Sequence, residues 1–203
     1  MSEAQTVRLS YEDGLRAVEL AREAIESYVR HGQREQPGSM REAFYQRTGA
    51  LVRIESTRGR GSLRGCAGSY QSSDQLGHVI VDSAIAAASE DSCGSELNAA
   101  ELGSVAVSAC IVREVLLTDD PLADLELGRH GVAIDAGNRG GWLYPTIPVE
   151  NDWSANEYLD RTCRKAGLAP TAWRDDDAMV VLFGGEVFRE REPNGSVEHL
   201  SNL

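Results

Sequence analysis

Between Val105 and Leu117 the chain reads VAVSACIVREVLL, β-branched and apolar almost throughout. Such a run predicts a long strand buried on one or both faces. Its neighbours in sequence carry the other half of the pattern. Ala50, Val52 and Ile54 alternate with Leu51, Arg53 and Glu55 as a half-buried strand, and the run Leu63 to Tyr70 can return against it as a hairpin. A second hairpin is predicted from Gly131–Asp135 and Trp142–Tyr144, joined by Ala136 to Gly141. Met179 to Glu190 reads as a closing strand.

Helical signals fall between these strands. Ser10 and Asp13 form a capping box ahead of Leu15, Val18, Ala21, Ile25 and Tyr28 on one helical face, and Gly32 marks the stop. Asp74 to Glu90 is an Ala-rich apolar helix. Ser154 and Glu157 open a third helix carrying Tyr158, Leu159, Cys163 and Ala166, which ends at Gly167. Hairpins with helices between them give an α+β class rather than regular βαβ winding. With 203 residues and no dividing linker or repeat, the whole chain, 1–203, is expected to form a single domain.

Charge narrows the function classes. Thirty-two acidic residues face 20 basic ones, a net charge of -12, and Lys165 is the only lysine. An acidic surface poor in lysine suits a cytoplasm of molar salt, where self-repulsion is screened. It also disfavours nucleic-acid binding, which needs a basic footprint. The longest apolar run is far short of a membrane span, and the N-terminus lacks a signal pattern, so the expected location is cytoplasmic. Cys66, Cys93, Cys110 and Cys163 have no CxxC spacing, and the four histidines form no HxH or HExxH signature, so no metal or other cofactor is expected.

The segment Arg58-Gly59-Arg60-Gly61-Ser62-Leu63-Arg64-Gly65-Cys66-Ala67-Gly68-Ser69 surrounds one thiol with arginines and glycines. Alternation along a strand would put Arg64 and Cys66 on one face, where the guanidinium favours thiolate. The same residues also read as a small buried hydrophobe in a tight glycine hairpin. His130, at a strand entrance, is a candidate base or a structural histidine. Cys110 and Cys163 read as core, Cys93 as a loop thiol beside Asp91, and Asp175–Asp177 as a solvated turn.

Leu63-Arg64-Gly65-Cys66-Ala67-Gly68 resembles the LRGCIG hallmark of the AMMECR-domain family. Gly128 to Val132 is similar to that family's G-x-HG-aliphatic step, Trp142-Leu143-Tyr144-Pro145 to its LLP step, and Cys163 to Leu168 to its CxKAGL helix end. The likeness covers about residues 10–190 in order. It implies two subdomains, each with an antiparallel sheet flanked by helices, the larger built from both chain ends and the smaller from the middle. It places the hallmark segment at a cleft between them. It implies Memo-like and radical SAM partner proteins, with no established activity for the family. The residues singled out are Cys66, Arg64 and His130 for chemistry, with Leu63, Gly65 and Gly68 lining a substrate site. Two function classes follow. One is a cysteine-dependent enzyme or enzyme component. The other is a scaffold whose cleft takes a peptide or protein, with Arg64 pairing a carboxylate and Cys66 merely packed.

Overall fold

The computed structural model describes residues 9–38, 41–59, 62–89 and 95–200. Residues 60, 61 and 90–94, and with them Arg60, Gly61 and the Cys93 loop, lie outside the described residues. The chain forms two compact units: one runs to Arg113 and resumes at Glu186, and the other is Glu114–Gly185.

In the first unit, helix α1 (Tyr11–His31) begins where its sequence says it should. The Ser10 side chain accepts from the Asp13 amide, and the Asp13 carboxylate accepts from the Ser10 amide. Gly32, at φ 64°, ends it in the left-handed conformation that glycine adopts without strain. Strand β1 (Ala50–Ser56) pairs antiparallel with β2 (Ser62–Ser69) on one side and with β3 (Val105–Thr118) on the other. Helix α2 (Leu76–Ser89) packs with α1 on one face of these strands. Every second residue of the strands, namely Val52, Ile54, Val107, Ala109 and Ile111, meets Leu20, Ile25, Ile80 and Phe44 there. Each fully buried Val, Leu, Ile or Phe side chain among them contributes about 1.5–3 kcal/mol.

A buried ion pair ties this unit together. Arg22 of α1 donates to both carboxylate oxygens of Glu190 and to the Leu102 and Val105 carbonyls, while the Val107 amide donates to the same carboxylate at 2.9 Å. Because every charge there has partners, the pair is tolerated at 5 % and 4 % exposure.

The second unit contains the short helix α3 (Pro121–Asp124), the hairpin of β4 (His130–Ala136) and β5 (Arg139–Leu143), the short helix α4 (Ile147–Glu150) and helix α5 (Ala155–Lys165). The six-residue connection expected in the hairpin contracts to Gly137-Asn138, since Ala136 pairs directly with Arg139. Strand β6 (Ala178–Glu190) pairs with β4 along Ala178–Gly184. Tyr158, Leu159 and Cys163 of α5 join Val132, Ile134, Leu143, Trp173, Val180 and Leu182 in its core. Tyr158 is fully buried, and its hydroxyl lies 3.0 Å from both the Leu143 and Tyr144 carbonyls.

Two further features depart from the sequence reading. The face of β1 that carries Leu51 and Arg53 is buried as well, at 0 % and 7 % exposure, so the strand is not half-buried. The C-terminal stretch adds strand β7 (Val197–Leu200) beside β6, where His199 stacks on Phe188 with centroids 4.4 Å apart.

Candidate functional site: a thiol and a guanidinium in one strand row

The register of β1 decides what stands beside Cys66. Arg53 lies opposite Cys66 on β2 and opposite Ser108 on β3; Leu51 lies opposite Gly68 and Cys110. Val52, Ile54, Ala67, Val107 and Ala109 face the helices. Alternation therefore puts Cys66, Arg53, Ser108 and Cys110 on the other face. A thiol, a guanidinium and a hydroxyl thus form one row across three strands.

Arg53 is nearly buried and anchored through Nη2 to Glu55 Oε1 at 2.8 Å, a residue of the same strand and face. Its charge is held in place rather than sampling solvent. Cys66 is partly exposed, whereas Cys110 is fully buried. Burial pushes the Cys110 thiol far up, and the neighbouring Cys66 and Glu186 push it further. Glu186 on β6 accepts from Arg113 at 2.6 Å. Cys66 and Cys110 are separated by β1, so their strands are about 10 Å apart, beyond the ~7 Å reach of a disulfide. They do not pair as a disulfide.

Arg64 is placed otherwise than alternation predicts. Ile54 pairs with Gly65 but Glu55 pairs with Leu63, so a β-bulge leaves Arg64 as the extra residue. Its guanidinium forks onto Glu101 at 2.7 and 3.0 Å and donates to the Ser95 and Glu96 carbonyls. These bonds hold the Glu101 carboxyl below its ordinary range. Arg64 clamps the 95–101 loop to β2. Leu63, opposite Glu55, shares the Cys66 face, while Gly65, opposite Ile54, lies on the helix-facing side. At Gly68 the backbone has φ 132°, and an added Cβ would lie 2.2 Å from the Ala50 carbonyl oxygen. A glycine is required there for close strand approach.

His130 belongs to the second unit. It is buried, and its Nδ1 accepts from the Glu126 amide at 3.1 Å. That bond assigns the proton of the neutral ring to Nε2, which lies 3.8 Å from Glu114 Oε1. Burial first, and Arg129 second, lower its pKa. Gly131 follows because the Phe183 ring on β6 lies over it, 2.1 Å from where a Cβ would be. The three tryptophans of this unit carry cations. Arg161 covers Trp153, Arg174 covers Trp173, and Lys165 sits 4.8 Å from the Trp142 ring centroid. Asp175–Asp177 are exposed, and among the described residues no cluster of His, Cys, Asp and Glu could hold a metal ion.

Arg53 and Ser108 are the residues that the sequence did not single out. The signal was present in part: one arginine inside an apolar strand, on the face opposite the helix-packed residues.

Comparison with known proteins places the geometry in a lineage. A protein of Halobacterium salinarum is 61 % identical over 99 % of this chain and all of its own length. A protein of Methanocella arvoryzae is 36 % identical over 93 % of this chain and 96 % of its own. The crystal structure of an uncharacterised protein from Pyrococcus horikoshii superposes with a TM-score of 0.88 at 29 % identity, covering 96 % of this chain and 99 % of that one. The family model for AMMECR1 matches residues 18–188, from within α1 through the Cys66 row and α5, and the chain belongs to the AMMECR1 family.

Proposed function

We propose that this AMMECR1-family chain is a thiol-dependent enzyme or enzyme component, in which Cys66 bonds covalently to an electrophilic substrate and Arg53 supplies the balancing positive charge. The observation that carries the reading is the register that sets Arg53 directly opposite a partly exposed Cys66, in one row with Ser108. A guanidinium fixed beside a thiol favours the thiolate, which is the nucleophilic form. Leu63 and Ser108 lie on the same face. His130, neutral and anchored through Nδ1, is suited to handling a proton at Nε2.

The scaffold reading draws less support. It asks Arg64 to pair a partner's carboxylate, yet the Arg64 fork is already engaged by Glu101 and two loop carbonyls. The same proposal includes action beside Memo-like and radical SAM proteins, in the cytoplasm of a salt-accumulating cell. The net charge of -12, the single lysine and the Halobacterium salinarum relative support the salt setting. No helix among the described residues is long and apolar enough to cross a membrane.

The test is the rate at which an uncharged alkylating agent modifies each cysteine at neutral pH in molar potassium chloride, read by mass spectrometry. Cys66 is expected to react fastest in the native protein. Exposure alone would also favour it over Cys110, so the deciding comparison is between variants. Arg53→Gln is expected to slow Cys66 about ten-fold and Arg53→Lys much less. Equal rates in wild type and Arg53→Gln, with both folded, would remove Arg53 from the mechanism.

A further inference from the structure

The far end of β3 is apolar and exposed, which few strand edges are. Val115, Leu116 and Leu117 are 39 %, 46 % and 62 % exposed, and Leu122, Leu127 and Met179 of the same unit are also exposed. Strand edges with free backbone groups template further pairing unless charge or curvature protects them. Strand β1 accompanies β3 only as far as Ala50 opposite Ile111. Just beyond, the Val112 amide donates to the Gly49 carbonyl at 3.0 Å, and its carbonyl accepts from Thr48 Oγ1. Backbone groups alternate sides along a strand, so those of Glu114, Leu116 and Thr118 point to the same edge. Among the described residues, the sheet order gives β3 no neighbour other than β1 and β6.

We propose that this edge pairs antiparallel with the same edge of a second copy of the chain, on a two-fold axis through Leu116. The charges select that register. An axis at Glu114 sets its carboxylate against its own copy, and an axis at Leu117 sets Glu114 against Asp120. An axis at Val115 directs pairing to Val112, whose backbone groups are already used. With the axis at Leu116, Leu116 meets Leu116, Val115 meets Leu117, Glu114 meets Thr118 and Arg113 meets Asp119. Apolar residues fill the centre and opposite charges close both ends. Each copy carries a net charge of -12, so association requires salt to screen the repulsion.

Sedimentation in molar potassium chloride is expected to show a dimer that dissociates as salt is lowered. Leu116→Glu puts two carboxylates at the axis. It is expected to be monomeric at every salt concentration while keeping the circular dichroism of the folded chain, since Leu116 is exposed. Leu116→Cys tests the register, because residues on the axis of a hydrogen-bonded pair lie about 5.5 Å apart, within disulfide reach. Mild oxidation should give a 116–116 crosslink, mapped by mass spectrometry. A wild-type monomer in molar salt, a Leu116→Glu dimer, or no 116–116 crosslink would each overturn the proposal.

Discussion

Gly68 shows how a single residue of the hallmark segment can be fixed by the backbone rather than by a ligand. Its φ of 132° is strained for any other L-residue, and an added Cβ would meet backbone atoms of Ala50 and Leu51, which cannot swing aside. Gly68→Ala is expected to destabilise the first unit by about 3 kcal/mol, read as a lowered urea midpoint with an unchanged slope. A loss well under ~1 kcal/mol would mean that the strands can part there and that the glycine serves another purpose. The candidate residues thus divide by what holds them. Gly68 answers to strand packing and Arg64 to a loop. Cys66 and Leu63 share a face with an arginine that the motif does not contain.

Among the elements, α1 and α5 were legible because their signals are local. A capping serine, an acidic residue three positions on, a periodic apolar face and a terminal glycine all lie within one helix length. The β1–β2 hairpin was legible as a hairpin but not in its register. That Cys66 lies opposite Arg53 is set by the register, and whether Arg64 shares its face depends on a bulge between Ile54 and Glu55; pairing energies between strands leave no local trace. The burial of Leu51 and Arg53 was hidden for the same reason, and β7 is too short to stand out from a tail. The bulge leads to a second prediction. Arg64→Ala removes the clamp on the 95–101 loop, so limited proteolysis should begin between Ser95 and Glu101 while Cys66 alkylation changes less than about two-fold. Loss of Cys66 reactivity in that variant would return Arg64 to the chemistry.

For the whole molecule, net charge sets the conditions of stability. Ion pairs such as Arg16–Glu23, Arg34–Asp82 and Arg189–Glu198 are solvent-facing and contribute little each, whereas the excess of acidic over basic residues repels throughout. Raising potassium chloride from about 0.1 M, where the screening length is ~10 Å, to molar levels should therefore stabilise the fold. A gain of about 2 kcal/mol would raise the melting midpoint by about 4–8 °C. Scanning calorimetry across that range tests it, and a midpoint that falls with salt would show that the ion pairs outweigh the repulsion. The AMMECR-type resemblance was visible in short motifs spread along the chain, whereas the net charge of -12 is written in composition alone.

The two-strand distance between Cys66 and Cys110 also governs how the site meets oxidants. A thiolate that gains an oxygen becomes a sulfenic acid, and many proteins rescue it by condensing it with a nearby resolving cysteine. Cys110 is buried and lies beyond bonding reach, so it cannot resolve Cys66. Recovery of an oxidised Cys66 from the β3 side is closed, and a thiol that repairs it must approach from elsewhere.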